Sequence, residues 1–279
     1  MATVLITGCS RGIGLLTALH FGRNGHVVFA SMRNTALKEE LETTARKEKL
    51  PIEIVQLDVT EDASVRSAVA RVLSSAGTID VLVNNAGFGY LGPLEDADLD
   101  EARQVFETNF FGPLRLTQAV LPTMRAQRSG AIVNVSSLAG VIAEPYNGVY
   151  AASKHALEAA SEVLYFECHP FGIRIVLIEP GGYDTRGYWR ARKEVRFAED
   201  SPHLKYGQRF TEALRTKLPG ASQPGDPQVV AKAIYDAVYT DQPKLRYPVG
   251  EEADVARLRR ELDDEEFEQV MRKTLDIWD

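Results

Sequence analysis

Short apolar runs alternate with longer segments of helical periodicity along most of the chain. The runs are nearly continuous in apolar character, which is typical of parallel strands that helices cover on both faces. They are Thr3–Ile6, His26–Ala30, Ile52–Leu57, Ile79–Val83, Ala131–Val135 and Ile173–Ile178. A helical set after the cap candidate Asp62 comprises Val65, Ala68, Val69, Val72 and Leu73. The pattern predicts a single α/β domain over residues 1–279, with a doubly wound parallel sheet and helices on both faces.

Three later segments depart from this alternation. Residues 187–228 are rich in Gly, Pro, Arg and aromatic residues, which predicts a flap over a substrate site. Leu245–Val249 is expected to return as an edge strand, where Pro248 is tolerated. Residues 250–279 contain eleven acidic and five basic residues and are expected to form an acidic helical tail.

Composition restricts the class of protein. A net charge of −7 argues against a nucleic-acid partner, because phosphate binding needs a basic face. No apolar stretch approaches the roughly 18 residues of a membrane span, and no signal segment precedes the first strand. The two cysteines, Cys9 and Cys168, are too few for a disulfide framework, and the five histidines lack ligand spacing. We therefore expect a cytoplasmic protein that binds a small molecule and holds no metal.

A glycine-rich segment follows the first predicted strand and precedes an amphipathic helix. Gly8 permits a tight turn, Gly12 permits a phosphate to approach the backbone, and Gly14 permits close packing of helix and sheet. A glycine-rich turn without a ligand is the alternative. The position at the first strand–helix crossing favours a dinucleotide site and a Rossmann-type fold.

Two other motifs compete with this interpretation. The segment Gly87–Gly92 also matches the dinucleotide pattern, but Pro93 and several acids follow it where a helix should begin, so we expect a loop. Ser10 lies in a G-x-S-x-G pattern that suggests an esterase nucleophile. Only one strand precedes Ser10, however, which leaves no earlier loop to supply the oxyanion donors.

The end of the second strand indicates which dinucleotide is bound. An acid about 20 residues beyond the glycine motif would select NAD, and this strand has none. Arg33, with Ser31 and Arg11, is placed to surround a 2′-phosphate, although each arginine alone would be typical of a solvated surface. The sequence therefore predicts NADP(H) rather than NAD(H).

A phenol and an ammonium lie four residues apart at Tyr150 and Lys154, which places them side by side on a helix. A free phenol has a pKa near 10, and a neighbouring cation stabilises its ionised form. Ser137 follows the strand Ala131–Val135 and can share a substrate oxygen with Tyr150. A Y-x-x-x-K pattern alone is common on helix surfaces, so its weight depends on these partners.

Together these motifs resemble the short-chain dehydrogenase/reductase family. The matching segments are Thr7–Gly14, Asn84–Gly87, Asn109, Ser137, Tyr150–Lys154 and Pro180–Thr185. The resemblance covers residues 3–185, extends more weakly to Val249 and omits the acidic tail. Details of the segments 5–10, 88–95 and 179–182 are most similar to the 17β-hydroxysteroid and retinol dehydrogenase branch.

The resemblance implies catalytic roles for four residues. Tyr150 would be the general acid/base, Ser137 would orient the substrate oxygen, and Lys154 would bind the nicotinamide ribose while lowering the pKa of the phenol. Asn109 would hold a water molecule in a proton relay. A structural role for Asn109, in which it stabilises a helix irregularity, is compatible with this relay.

The resemblance also implies a set of cofactor contacts. Asp58 could instead be a turn residue, and Asn84–Gly87 is also a good strand-ending turn. Tyr183 replaces the small aliphatic residue usual there, which puts the shape of the nicotinamide pocket in doubt. The implied contacts are Gly8, Ser10, Arg11, Gly12, Ile13, Gly14, Arg33, Asp58, Val59, Asn84, Ala86, Gly87, Tyr150, Lys154, Pro180, Gly181, Tyr183 and Thr185.

The sequence indicates the substrate less specifically than it indicates the cofactor. The loop Phe88–Leu94 and four flap aromatics either wall an apolar pocket or pack the flap on the domain; these are Trp189, Phe197, Tyr206 and Phe210. The basic run Arg186–Arg196 could instead steer an anionic substrate. We expect hydride transfer between NADP(H) and a hydrophobic secondary alcohol, ketone or aldehyde, such as a steroid, a retinoid or an aromatic compound. A catalytically silent NADP(H)-sensing protein is the alternative.

Two predicted helical regions bear on assembly. The segments Leu99–Arg128 and Ser153–His169 resemble those that form the family's usual subunit interface. The resemblance therefore implies a homodimer or homotetramer.

Overall fold

The predicted α/β architecture is confirmed. A computed structural model of the chain describes residues 1–183, 196–217 and 225–275, without the side chains of residues 214 and 215. Its strands form one parallel sheet of order β3-β2-β1-β4-β5-β6-β7. They are β1 Thr3–Ile6, β2 Val27–Met32, β3 Ile52–Gln56, β4 Val81–Asn84, β5 Gly130–Val135, β6 Ile173–Pro180 and β7 Arg246–Val249.

Helices connect the strands and cover the sheet. A π-helical segment, Glu107–Phe111, interrupts the helical run between β4 and β5. The α-helices of the described residues are α1 Gly12–Arg23, α2 Glu39–Glu48, α3 Asp62–Ala76, α4 Leu99–Phe106, α5 Gly112–Gln127, α6 Gly148–Cys168, α7 Leu204–Lys217, α8 Pro227–Tyr239, α9 Ala253–Glu261 and α10 Asp264–Leu275.

Both faces of the sheet are buried, which explains why the strands are nearly continuous in apolar residues. Along β1, Val4 and Ile6 pack with α1 and α8 on one face, whereas Leu5 packs with α3 and α5 on the other. Successive side chains of a strand point to opposite faces, so a strand buried on both faces needs an apolar residue at nearly every position.

Several predicted boundaries are wrong by one to two residues. His26 precedes β2, which begins at Val27, because the His26 amide still closes the turn after α1 by donating to the Phe21 carbonyl at 3.2 Å. Ile79 precedes β4, because Asp80 receives the Thr3 amide at 2.7 Å before the ladder begins. Asp62 is the first residue of α3 rather than its cap, and it pairs with Arg115.

The edge strand and the helical tail are also present. β7 runs parallel to β6 at the edge of the sheet, where Pro248 lies. The tail forms α9 and α10, and Leu275 at the end of α10 is fully buried in a cluster with Phe210 of α7. Among the described residues, no helix is both long and apolar enough to span a bilayer.

The carboxyl ends of the strands determine where chemistry can take place. Because the sheet is parallel, the segments that follow β1, β4, β5 and β6 meet at one edge of it. The strand order reverses at β1, between β2 and β4, and a crevice opens at such a switch point.

Candidate active site

The glycine segment forms a tight loop between β1 and α1. Gly8 and Gly12 adopt φ angles of +72° and +58°, in the left-handed region that favours glycine. A Cβ on Gly14 would lie 2.4 Å from the Gly8 carbonyl oxygen, so this position leaves no room for a side chain. α1 begins at Gly12 with no acidic residue in its first turn and no side-chain cap at Arg11, so no side chain of this turn competes with an anion for its first amide groups.

Two polar side chains hold this loop against the end of β4. The Thr7 hydroxyl accepts hydrogen bonds from the amides of Asn85 and Ala86, both at 2.9 Å. Asn85 Nδ2 donates in return to the Thr7 carbonyl at 2.8 Å. Asn85 is not among the site residues that the sequence predicts. Its signal in the sequence is an amide side chain directly after a strand that adjoins the glycine loop.

A cleft of about 1140 Å³ opens along this edge of the sheet. Gly14, Asn84 and Asn109 are buried beside the cleft and do not line it. Thr185 lies outside the described residues. The predicted site residues that line the cleft are Gly8, Ser10, Arg11, Gly12, Ile13, Arg33, Asp58, Val59, Ala86, Gly87, Ser137, Tyr150, Lys154, Pro180, Gly181 and Tyr183.

Tyr150 and Lys154 lie in the first turns of α6 and face this cleft together. Lys154 is only 4% exposed, and its Nζ donates to the Val135 carbonyl at 2.8 Å. That Nζ lies 5.7 Å from the centre of the Tyr150 ring. Burial lowers the pKa of Lys154 to about 8, and the nearby Glu158 carboxylate partly offsets this effect. A poorly solvated cation therefore lies beside the phenol.

Ser137 follows β5 and begins a short 3₁₀ turn, where its Oγ accepts the Ala139 amide at 3.1 Å. The hydroxyl hydrogen is not needed for that contact and is free to point at a ligand oxygen. Ser137 lines the same cleft as Tyr150. The arrangement can therefore present two hydroxyl groups and a cation to one bound molecule.

Asn109 is fully buried in the π-helical segment, so the predicted helix irregularity is confirmed. Its Oδ1 accepts the Phe88 amide at 3.1 Å, and its Nδ2 donates to the Phe88 carbonyl at 3.0 Å and to Ser153 Oγ at 3.1 Å. A Cβ on Gly87 would lie 3.1 Å from Asn109 Oδ1 and 3.7 Å from Lys154 Nζ. Asn109 therefore ties the loop after β4 to α6 beside Lys154.

Asp58, which follows β3, and Asn84, which ends β4, differ in their position relative to the cleft. Asp58 lines the cleft and also makes a turn, because its Oδ1 accepts the amide and the hydroxyl of Thr60 at 3.0 and 2.8 Å. Asn84 points away from the cleft, and its Nδ2 donates to Asn134 Oδ1 at 2.8 Å. The side chain of Asn84 therefore belongs to the core beneath the site.

At the end of β2, two of the three residues expected to surround a 2′-phosphate line the cleft. Arg11 and Arg33 are exposed and line the cleft. The expectation that Ser31 joins them is wrong: its side chain is completely buried, because strand alternation turns it into the core.

Tyr183 lines the cleft but is only 5% exposed. The ring packs in the core and fills the space above Gly225, where a Cβ would lie 2.7 Å from it. Its hydroxyl reaches the position of Gly250, whose φ is +119°. Two glycines therefore make room for the aromatic residue that replaces the usual small one.

The aromatic residues of the substrate side do not form one wall. Phe88 lines the cleft and is 45% exposed, whereas Phe210 is buried against Leu275 and Phe197 lies 5.9 Å from Tyr146 between ring centres. For Phe197 and Phe210, packing is therefore the better interpretation. Tyr206 is 41% exposed. Trp189 and the basic run up to residue 195 lie outside the described residues, and Arg196 pairs with Glu101.

A glycine loop at the switch point, next to a paired phenol and cation, defines a dinucleotide-binding oxidoreductase of the Rossmann type. The model of the short chain dehydrogenase family matches residues 2–196, which include all the motifs described above. The chain belongs to the short-chain dehydrogenase family.

Curated relatives agree with the predicted branch. The chain is 37% identical to the uncharacterized oxidoreductase YusZ of Bacillus subtilis, over 97% of both chains. It is 40% identical to human retinol dehydrogenase 8 over 88% of this chain and 80% of that protein. It is 35% identical to mouse 17-beta-hydroxysteroid dehydrogenase type 1 over 88% of this chain and 72% of that protein.

Solved structures support the fold over most of the chain. A short-chain dehydrogenase from Streptomyces avermitilis has a TM-score of 0.81, 35% identity and 98% coverage of both chains. An alcohol dehydrogenase from Thermococcus sibiricus, complexed with 5-hydroxy-NADP, has a TM-score of 0.72, 25% identity and coverage of 89% and 96%. An NAD⁺-bound xylitol dehydrogenase has a TM-score of 0.77, 26% identity and coverage of 89% and 97%.

Proposed function

We propose that the protein is an NADP(H)-dependent oxidoreductase that interconverts a hydrophobic alcohol and its ketone or aldehyde. The observation that carries this proposal is the buried Lys154 cation beside Tyr150, in a cleft that also contains the glycine loop. A cation with so little solvent around it stabilises a phenolate more than a hydrated one would. Tyr150 can then exchange a proton near neutral pH.

The residues present fit a nicotinamide dinucleotide. Gly8 and Gly12 line the cleft at the start of α1, where a pyrophosphate would bind, and Asp58 with Val59 would contact the adenine. The part of the cleft near the ends of β5 and β6 holds Tyr150, Lys154 and Pro180–Gly181, where the nicotinamide carboxamide would bind. A bound nicotinamide dinucleotide supplies or accepts the hydride.

The residues of the chain manage the proton. In the direction of reduction, Tyr150 donates its hydroxyl proton to the substrate oxygen as the carbonyl becomes an alcohol. Ser137 donates a hydrogen bond to the same oxygen and holds it in reach. Lys154 stabilises the phenolate that remains, and Asn109 fixes the adjoining backbone of Phe88. In the direction of oxidation these steps reverse.

Two arginines at the cleft support our proposal of NADP(H) over NAD(H). Arg11 and Arg33 line the cleft at the end of β2, and Met32, the residue before Arg33, offers no carboxylate. A guanidinium matches a 2′-phosphate in both charge and geometry.

Replacing Arg33 with alanine tests this preference. We expect Arg33→Ala to raise the KM for NADPH by about 10- to 100-fold, the effect of losing one charge-assisted hydrogen bond, and to leave the KM for NADH almost unchanged. Arg46→Ala removes an arginine that is 77% exposed on α2 and serves as the matched control. Equal effects on the two cofactors would refute the 2′-phosphate contact.

The substrate class rests on two observations. Phe88 offers an aromatic surface at the cleft, and the similar proteins include those named retinol dehydrogenase and 17-beta-hydroxysteroid dehydrogenase. The test measures oxidation of NADPH and of NADH with steroid, retinoid and small aromatic carbonyl compounds. We expect turnover of at least one hydrophobic carbonyl. Tight NADPH binding without turnover across the set would favour the alternative, a cofactor-sensing protein without chemistry.

We also propose a homodimer or homotetramer. Large apolar side chains are exposed on α4, the π-helical segment and α6, namely Leu99 (66%), Phe111 (43%), Val163 (54%) and Phe166 (69%). We expect light scattering to give a mass of two or four chains, and Phe166→Glu to reduce it because a buried charge opposes association. Glu167→Lys on the same helix is the control. A monomeric wild-type mass would refute this proposal.

A further inference from the structure

The turn that follows β6 is held by the chain that follows β7. The Gly181 amide donates to the Val249 carbonyl at 2.9 Å, and the Gly182 amide donates to Glu252 Oε1 at 3.3 Å. Glu252 Oε2 lies so close that a Cβ on Gly181 would be 2.3 Å from it. The carboxylate of Glu252 therefore packs directly against Gly181, and Glu252 is not among the residues that line the cleft.

A buried carboxylate lies one residue before this turn. Glu179 has no exposed surface, and Arg260 of α9 donates to its Oε1 at 2.5 Å. Arg246 lies 3.6 Å from the same oxygen and donates to Glu158 Oε2 at 3.0 Å. Burial raises the pKa of Glu179, whereas Arg260 and Arg246 act to lower it.

The charges around Glu179 make Arg260 its main partner. Arg246 must also neutralise Glu158 and Glu162, to which it donates at 3.0 and 2.6 Å. The second oxygen of Glu179 has no hydrogen-bond partner among the described residues. Without Arg260, Glu179 would be a buried carboxylate with a partial countercharge, and such a group either takes up a proton or moves toward water.

Tyr183 fixes the far end of the same turn. Its ring lies against Gly225 and its hydroxyl against Gly250. Burial and the carboxylates of Glu252 and Glu251 raise the pKa of Tyr183 to about 12, so the hydroxyl stays neutral. Residues 179–183 therefore contact the segment 249–260 at both of their ends.

We propose that Arg260 and Glu252, from the acidic tail, are positioning residues for the nicotinamide end of the site. They act through Glu179 and the Gly181–Gly182 backbone, and they touch neither substrate nor cofactor. This inference rests on the proposed function, in which Pro180–Gly181 contacts the carboxamide. The expected adenine contacts, Asp58 after β3 and Arg33 after β2, are separated from this turn by β1, β4 and β5 in the sheet.

The test compares a whole dinucleotide with its adenine fragment. Calorimetry gives the Kd of NADP⁺ and of adenosine 2′,5′-bisphosphate, which lacks the nicotinamide half. For Arg260→Met and for Glu252→Ala we expect a rise of about tenfold in the Kd of NADP⁺ and a change below about twofold for the bisphosphate. We also expect kcat to fall by about 10- to 100-fold, because small displacements of a reacting group are costly.

Matched variants separate positioning from general stability. Arg257→Met removes an arginine of the same helix that is 64% exposed, and Glu251→Ala removes the neighbouring exposed carboxylate; both should behave as wild type. Arg260→Lys should recover most of the NADP⁺ affinity because it restores the charge. If Arg260→Met does not fold, Glu252→Ala still decides the question.

Two outcomes would overturn the inference. In the first, a variant weakens the binding of both ligands equally. In the second, it lowers the Tm and changes neither Kd. Each outcome would mean that the contacts only stabilise the fold. A wild-type protein that binds neither ligand would instead remove the proposed function itself. If the wild type prefers NAD⁺, the same comparison is made with NAD⁺ and ADP.

Discussion

Tyr150→Phe is expected to abolish turnover while leaving the dinucleotide bound. The change removes one oxygen from a residue that lines the cleft and leaves the ring that faces Lys154 at 5.7 Å. Loss of a general acid/base lowers the rate by about 10²- to 10⁴-fold, so we expect kcat to fall by about 10²-fold or more. NADPH fluorescence titration should give a Kd within about twofold of wild type, because a phenol hydrogen bond contributes little to binding a whole dinucleotide.

Tyr165→Phe is the matched control, since it removes a phenol hydroxyl farther along α6, where the side chain packs against the core. It should retain wild-type turnover. Normal turnover by Tyr150→Phe would show that another group moves the proton, and the proposed mechanism would then be wrong.

Lys154→Met is expected to have the second largest effect on catalysis, and we expect it to change the pH dependence of the rate. Without the cation, a phenol keeps its ordinary pKa near 10 and is a weak base at neutral pH. We therefore expect kcat/KM for alcohol oxidation to fall by about 10²-fold or more at pH 7 and to recover as the pH rises toward 10. Steady-state rates between pH 6 and 10 measure this.

The sign of the wild-type profile follows from the burial of Lys154. Burial lowers the pKa of its ammonium to about 8, so the positive charge is present below pH 8 and is lost as the pH rises through that value. Carbonyl reduction by the wild type should therefore decline above about pH 8, and Lys154→Met should lack this decline. Lys232→Met, at a lysine that is 66% exposed on α8, should retain the wild-type profile. Identical profiles for wild type and Lys154→Met would contradict the electrostatic role.

The parallel sheet could be predicted from the sequence because burial on both faces leaves a pattern that needs no partner to be recognised. Val81, Leu82 and Val83 of β4 are apolar at successive positions for this reason. The strand ends were less predictable. At His26 and Asp80, the chain still makes turn or side-chain hydrogen bonds that apolar periodicity does not record.

Within the site, the sequence specifies which backbone segments meet, and less well where each side chain points. Motif spacing places both Asn84 and Ser31 beside the cleft, yet the alternation of their strands turns both side chains into the core. Tyr183 shows the same limit, because the room for its ring comes from Gly225 and Gly250, which are distant in sequence.

The contacts of the acidic tail had no signal in the sequence at all. Arg260 and Glu179 are 81 residues apart, and each belongs to a segment whose local pattern is ordinary. Only the folded chain brings Arg260 of α9 to the end of β6 and makes it the partner of a buried carboxylate, whereas Arg257, three residues earlier, stays on the surface.

A crystal structure of the protein with NADP⁺ bound tests the central claim most directly. The account predicts that the nicotinamide ring lies between the Tyr150–Lys154 pair and the Pro180–Gly181 turn, with its ribose in contact with Lys154 Nζ and the 2′-phosphate near Arg33. A dinucleotide bound with its nicotinamide away from Tyr150, or with both side chains turned out of the cleft, would contradict it.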